Sequence, residues 1–200
     1  MDHILEDVRS FIAYRIREGF ESAHDIVVNA PHYAFEKHGR RNLESPIKRL
    51  DAESLAAHRA EQACWKPKTD CDRLDEAFAN LNEQGVVARQ DFSCCNNCGF
   101  TEIWAEVEKE EKRGPVEGYV FYHLQGTELA IKTGRLFLAY GSVEENMDVF
   151  IRVAHKIVDE LRRTGLDAKW QGTPSDPIVV DGIVWQKRRT ESYEAHARRG

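Results

Sequence analysis

The sequence predicts an α+β protein, with a helical N-terminal half followed by a ferredoxin-like (split βαβ) antiparallel sheet domain carrying two helices. Three observations lead there. The first 84 positions read as helical, with apolar residues at steps of three and four from Leu5 to Ile16 and helical runs beginning near Asp51 and Asp70. From Gly85 onward, short strand-like runs alternate with helical ones in the order strand, helix, strand, strand, helix, strand. Asp181-Gly182, between two apolar runs, carries the strongest hairpin signal and can close a terminal hairpin.

Leu5, Val8, Phe11, Ile12 and Ile16 form one apolar helical face, and Gly19 follows where a helix would stop. The stretch His24 to His38 reads as a helix broken at the residue before Pro31. After the loop-like segment RRNLESP, Asp51 can cap a helix bearing Leu55, Ala56, Ala60 and Ala63. Asp70 or Asp72 can cap the next, with Leu74, Ala77, Phe78 and Leu81.

Val86, Val87 and Ala88 open a strand that runs into Arg89-Gln90-Asp91-Phe92-Ser93-Cys94-Cys95-Asn96-Asn97-Cys98-Gly99. Phe100, Ile103, Trp104 and Val107 then share a helical face, and Gly114-Pro115 breaks the acidic end. GYVFYHLQ and RLFLAYG read as strands joined through TELAIKT. Val149, Phe150, Val153, Ala154, Ile157, Val158 and Leu161 mark the clearest amphipathic helix, ended by Gly165. LDAKW, PIVV and IVWQKR close the fold as strands. The expected organisation is a helical region over 1–84, an α+β sandwich domain over 85–190 and a frayed, disordered tail over 191–200.

Composition narrows the function classes. The chain has 200 residues, 42% of them hydrophobic, enough for an ordinary core and against native disorder. With 28 Lys+Arg against 34 Asp+Glu, the net charge of −6 disfavours general binding to nucleic acid or anionic lipid. No apolar run approaches the roughly 20 residues that span a bilayer, and the start MDHILEDVRS lacks a signal-peptide pattern. The expected location is the cytoplasm, with no membrane association. Five cysteines, an odd number gathered around one motif, fit a reducing compartment with a metal or thiol site. No glycine-rich phosphate cradle and no serine nucleophile motif is present.

Cys94, Cys95 and Cys98 are the sharpest feature, because Cys-x-x-Cys brings two sulfurs close enough to share a metal ion or form a disulfide. A helix beginning near Asn97 or Gly99 would favour thiolate at Cys95 and Cys98 through its free N–H groups and dipole. Structural zinc takes four ligands, so Cys71 and His123 are the candidates to complete the set. Cys71 equally reads as a small buried hydrophobe, and Cys64, beside Trp65, as a packing residue. His123, with Gln125, Thr127 and Glu128, forms a second polar cluster at a strand end, either an acid–base or ligand-orienting group or a surface turn. Arg89, at the head of the motif, is a further site candidate.

The run from Trp65 to Gly99, containing Thr69-Asp70-Cys71-Asp72-Arg73-Leu74, Ala88-Arg89-Gln90 and the CC-x-x-CG motif, resembles an uncharacterised bacterial family known only as a domain of unknown function. The likeness continues through Gly118-Tyr119-Val120-Phe121-Tyr122-His123, Thr127-Glu128, Leu138-Ala139-Tyr140-Gly141 and Trp170-x-Gly172, over about residues 1 to 190. It implies that Cys71, Cys94, Cys95, Cys98, His123 and Glu128 are family features. Gly126 and Gln171 depart from that pattern, which commonly has Asp at each. The resemblance implies no activity.

The leading expectation is therefore an uncharacterised, non-catalytic protein whose cysteine cluster binds structural zinc and which acts through an unknown protein partner. Two rivals stand beside it: a thiol–disulfide redox protein or metal carrier using Cys95 and Cys98, and a plain protein-binding module with buried thiols.

Overall fold

A computed structural model describes residues 2–39 and 43–189. The tail expected over 191–200, and Arg40 to Asn42 of the loop-like segment, lie outside the described residues. The chain divides into two compact units, Lys68–Trp185 and the described residues of Met1–Pro67 with Gln186–Gly200.

The first unit is built on α1 (Asp2–Glu18), α2 (Ala23–His38) and α3 (Glu44–Ala63). Ile4, Val8, Ile12 and Ile16 of α1 are buried with Ile26, Ala30 and Ala34 of α2 and with Ile47 and Leu50 of α3, while Leu5 and Phe11 pack at the margin. Pro31 does not break α2, contrary to expectation. A proline inside a helix costs about 3 kcal/mol, and burial of Ile26 and the two alanines offsets it. Both ends are also well closed, since Ser22 Oγ accepts from the Asp25 N–H at 3.1 Å and Gly39 takes the left-handed conformation at φ 63°. Asp51 is not a cap: α3 starts seven residues earlier, because Ile47 and Leu50 supply the buried face and draw the preceding turn into the helix.

In the second unit α4 (Asp70–Glu83) precedes β1 (Val86–Arg89), α5 (Asn96–Glu111), β2 (Gly118–Phe121), α6 (Leu124–Thr133), β3 (Arg135–Ser142), α7 (Met147–Arg163), β4 (Asp167–Lys169) and β5 (Ile178–Asp181). The sequence pattern groups α4 with the helical half; it packs instead on β1 and α7 through Leu74, Ala77, Phe78 and Leu81. Its cap is Thr69, not either aspartate, in a capping box where Asp72 accepts from the Thr69 N–H at 2.8 Å. TELAIKT lies in a third helix of this unit, α6, and not in a plain connection.

The five strands lie in the order β1-β2-β3-β5-β4. β1 and β2 are parallel neighbours, Val87 opposite Tyr119 and Arg89 opposite Phe121, and the remaining pairs are antiparallel. In the expected split βαβ another strand would sit between that parallel pair. Here α5 returns the chain directly beside β1, so the α+β class holds while the strand order differs from the ferredoxin-like one. All four residues of β2 are buried, as in a strand covered on both faces. Asp181-Gly182 ends β5 without starting a hairpin, and residues 183–189 form no strand. β4 and β5 pair instead across residues 170–177.

Glu160 of α7 is only 7% exposed and accepts from Asn80, Gln84 and Arg163. The Arg163 guanidinium, with the Asn80 and Gln84 amides, holds its carboxyl below the ordinary value of 4.5. A depressed carboxyl contributes stability that is complete above its unfolded pKa and is lost as pH falls through the folded value. Wild-type protein should therefore lose more melting temperature than Glu160→Gln on acidification from pH 4.5 downward. Parallel melting curves for the two proteins would contradict this.

Candidate metal centre

Arg89 ends β1, and the chain then runs beside residues 122–124 for four more positions. The Phe92 N–H donates to Tyr122 O at 2.8 Å and the Leu124 N–H to Ser93 O at 3.2 Å. To make this turn Asp91 and Ser93 adopt positive φ, 49° and 66°, a conformation that costs non-glycine residues energy. Thr127, completely buried in α6, secures the bend: its Oγ1 donates to Asp91 Oδ1 at 2.6 Å. Thr127→Val preserves shape and removes the donor, so it should cost about 1.5–3 kcal/mol, the usual worth of a hydrogen bond to a charged group. Amide exchange over residues 91–95 should accelerate with it; unchanged protection there would show that Thr127 does not hold the bend.

Cys95 occupies the N-cap of α5 in extended conformation, and Gly99 N–H donates to its carbonyl at 2.9 Å. Gly99 is buried against Phe121. That close approach lets the first turn of α5 settle on β2 and fixes where the cysteines stand. The Cys94, Cys95 and Cys98 sulfurs all lie within 4.8 Å of one another, a group that could hold a metal ion. Cys94 is exposed and the other two are half-buried, so the thiols are not buried as the plain binding-module reading supposed. None of the three forms a disulfide.

Their electrostatics are unequal. The Cys98 backbone amide lowers the Cys95 pKa most, with the Cys98 and Cys94 thiols and the Asn97 amide adding to it. Cys98 is pushed up to about 11 by the neighbouring Cys94 and Cys95 sulfurs. Three thiols at one point resist joint ionisation, and a bound divalent cation would remove that resistance.

The other expected site residues are distributed around this centre. Neither Cys71 nor His123 belongs to the group within 4.8 Å. Cys71 is 1% exposed in the α4 core, consistent with its reading as a small buried hydrophobe. Cys64, expected to pack, is instead an exposed C-cap of α3. Arg89 is held by α5, its guanidinium within 2.7 Å of Glu106 and 3.0 Å of Glu110. Glu128 pairs along its own helix with Lys132 at 3.7 Å. His123 is the N-cap of α6, its ring pKa lowered by burial, and it lines a groove of about 530 Å³ together with Gln125 and Asn96. The polar cluster His123, Gln125 and Thr127 was legible in the sequence, but its apolar partners in the groove and the tie from Thr127 to Asp91 were not, since both join residues far apart in the chain.

Fold and centre together define a two-unit α+β protein with three cysteines gathered where β1 turns into α5. Among the described residues no helix is long and apolar enough to cross a membrane. The chain belongs to the family described as Domain of unknown function (DUF6891), which matches residues 1–189 and bears out the resemblance seen in the sequence. Neither the curated proteins nor the solved structures contain a match to the chain.

Proposed function

We propose that Cys94, Cys95 and Cys98 bind one zinc ion and that this ion serves a structural, non-catalytic role, clamping the β1-to-α5 turn. The observation that carries the reading is the convergence of three sulfurs within 4.8 Å. Thiolate sulfur is a preferred zinc ligand, and such a site contributes its binding energy to folding. The positive φ of Asp91 and Ser93 lies just upstream, where ligation would offset strained backbone. Zinc takes a fourth donor, and the exposure of Cys94 leaves room for water or a donor from a protein partner.

Protein reconstituted with zinc under reducing conditions should retain about one ion per chain and melt higher than after chelation. Cys98→Ser should weaken zinc binding by at least about 100-fold, exceeding the usual loss on removing an outer hydrogen-bond partner. A chain that retains no zinc would overturn the proposal. If oxidation of that zinc-free chain then gave a reversible Cys95–Cys98 disulfide, thiol–disulfide exchange would take its place.

A further inference from the structure

The groove beside the cysteine turn carries a second reading, which does not depend on zinc. Its walls include Phe100, Leu129 and Phe137, the first two 40% and 39% exposed. Large apolar side chains left open to water inside a concavity of about 530 Å³ match the makeup of small-molecule sites.

Its polar edge is unused. Asn96, His123 and Gln125 line it, and their side chains make no hydrogen bond among the described residues. His123 Nδ1 is in addition shielded from solvent, where an unmet polar atom is costly. The imidazole can turn about χ2 to present either nitrogen. Burial lowers the pKa of this ring against the opposing pull of Asp91 and so favours its neutral form, in which all three groups offer uncharged donors and acceptors. Among the described residues Asp176 is the charged member of the lining, and it disfavours an anion.

Gly126 supplies an independent indication. It lies inside α6, where glycine weakens a helix relative to alanine. Neither packing nor backbone demands it. A Cβ there would meet Tyr122 Cβ at 3.6 Å and Phe137 O at 3.9 Å, ordinary contacts, and its φ is not in the left-handed range. Gly99 differs, since its Cβ would fall 2.4 Å from the Phe121 ring. What the missing side chain at 126 does provide is room in the groove it lines.

We infer that this groove binds an uncharged organic molecule, its apolar body against Phe100, Leu129 and Phe137 and an amide-like edge against Asn96, His123 and Gln125, with Gly126 setting the size admitted. 2-Naphthamide is a suitable probe, with 2-naphthoate as its anionic counterpart. Titrating 2-naphthamide into the full chain should shift the backbone resonances of Gln125, Gly126, Leu129 and Phe137, and 2-naphthoate should bind at least about tenfold more weakly, a difference of roughly 1.4 kcal/mol. Gly126→Leu should abolish those shifts. Gly126→Ala should raise the melting temperature and weaken binding less, which separates filling of the groove from loss of fold. Absence of shifts at millimolar 2-naphthamide, equal binding of the naphthoate, or undiminished binding by Gly126→Leu would each overturn the inference. Zinc content is read separately, so failure here and failure of the zinc assignment are distinguishable.

Discussion

Gly99→Ala should lower stability by about 3 kcal/mol, the upper end of what overpacking costs, and the melting temperature by roughly 6–12 °C. The new Cβ would stand 2.4, 2.8 and 3.2 Å from three carbons of the Phe121 ring. Phe121 cannot retreat, because it is fully buried among Val87, Ile103, Val107 and Tyr119. Helix propensity pulls the other way, favouring alanine by about 1 kcal/mol, so a net loss isolates the steric effect. Relief requires α5 to lift from β2, which moves Cys95 and Cys98 with it. Under the proposed zinc assignment, metal affinity should therefore fall although none of the three cysteines is changed. A variant as stable as wild type would show that Phe121 yields, and that the approach of α5 to the sheet does not fix the cysteines.

Phe121→Ala should cost about 3–5 kcal/mol, as expected when a buried phenyl ring is removed and a cavity is left. The ring contacts Phe92 and Phe100 edge-on, with centroids 5.8 and 5.2 Å away, and stacks on Tyr119 at 6.4 Å. These partners come from the cysteine turn, from α5 and from β2, so one side chain joins the three segments that build the centre. Combining the two substitutions gives a stricter test, since Phe121→Ala vacates the space that the methyl group added by Gly99→Ala would enter. The double variant should be more stable than the sum of the single losses predicts, by about 0.5–3 kcal/mol. Strict additivity in denaturant unfolding would refute the contact.

Much of this was legible along the chain because it is local. The α7 face from Val149 to Leu161 follows from spacing alone, and those apolar positions are buried as the pattern requires, apart from the half-buried Phe150. The strand ending at Arg89 and the helix starting after Cys95 were also readable, since apolar β-branched residues precede the motif and a helical face follows it. Three cysteines within five positions at such a junction had little freedom to lie far apart. Where the pattern misled, distant partners decided. Pro31 sits in an unbroken helix because packing of Ile26, Ala30 and Ala34 outweighs one lost hydrogen bond. The TELAIKT segment became α6, with Gly126, Thr127 and Ala130 buried and a left-handed Gly134 ending it.

The sequence by itself determined the class, the positions of most helices and strands, the family and the cysteine cluster, because propensity, periodicity and a five-residue spacing act over one or two turns of chain. Tertiary structure decided the strand order, the assignment of α4 to the sheet unit and the separation of Cys71 from the other sulfurs. It also decided the tie from Thr127 to Asp91 and the groove lined by His123 and Gly126. Each of these depends on which surfaces bury one another across tens of residues, and that choice is made by packing of the whole unit.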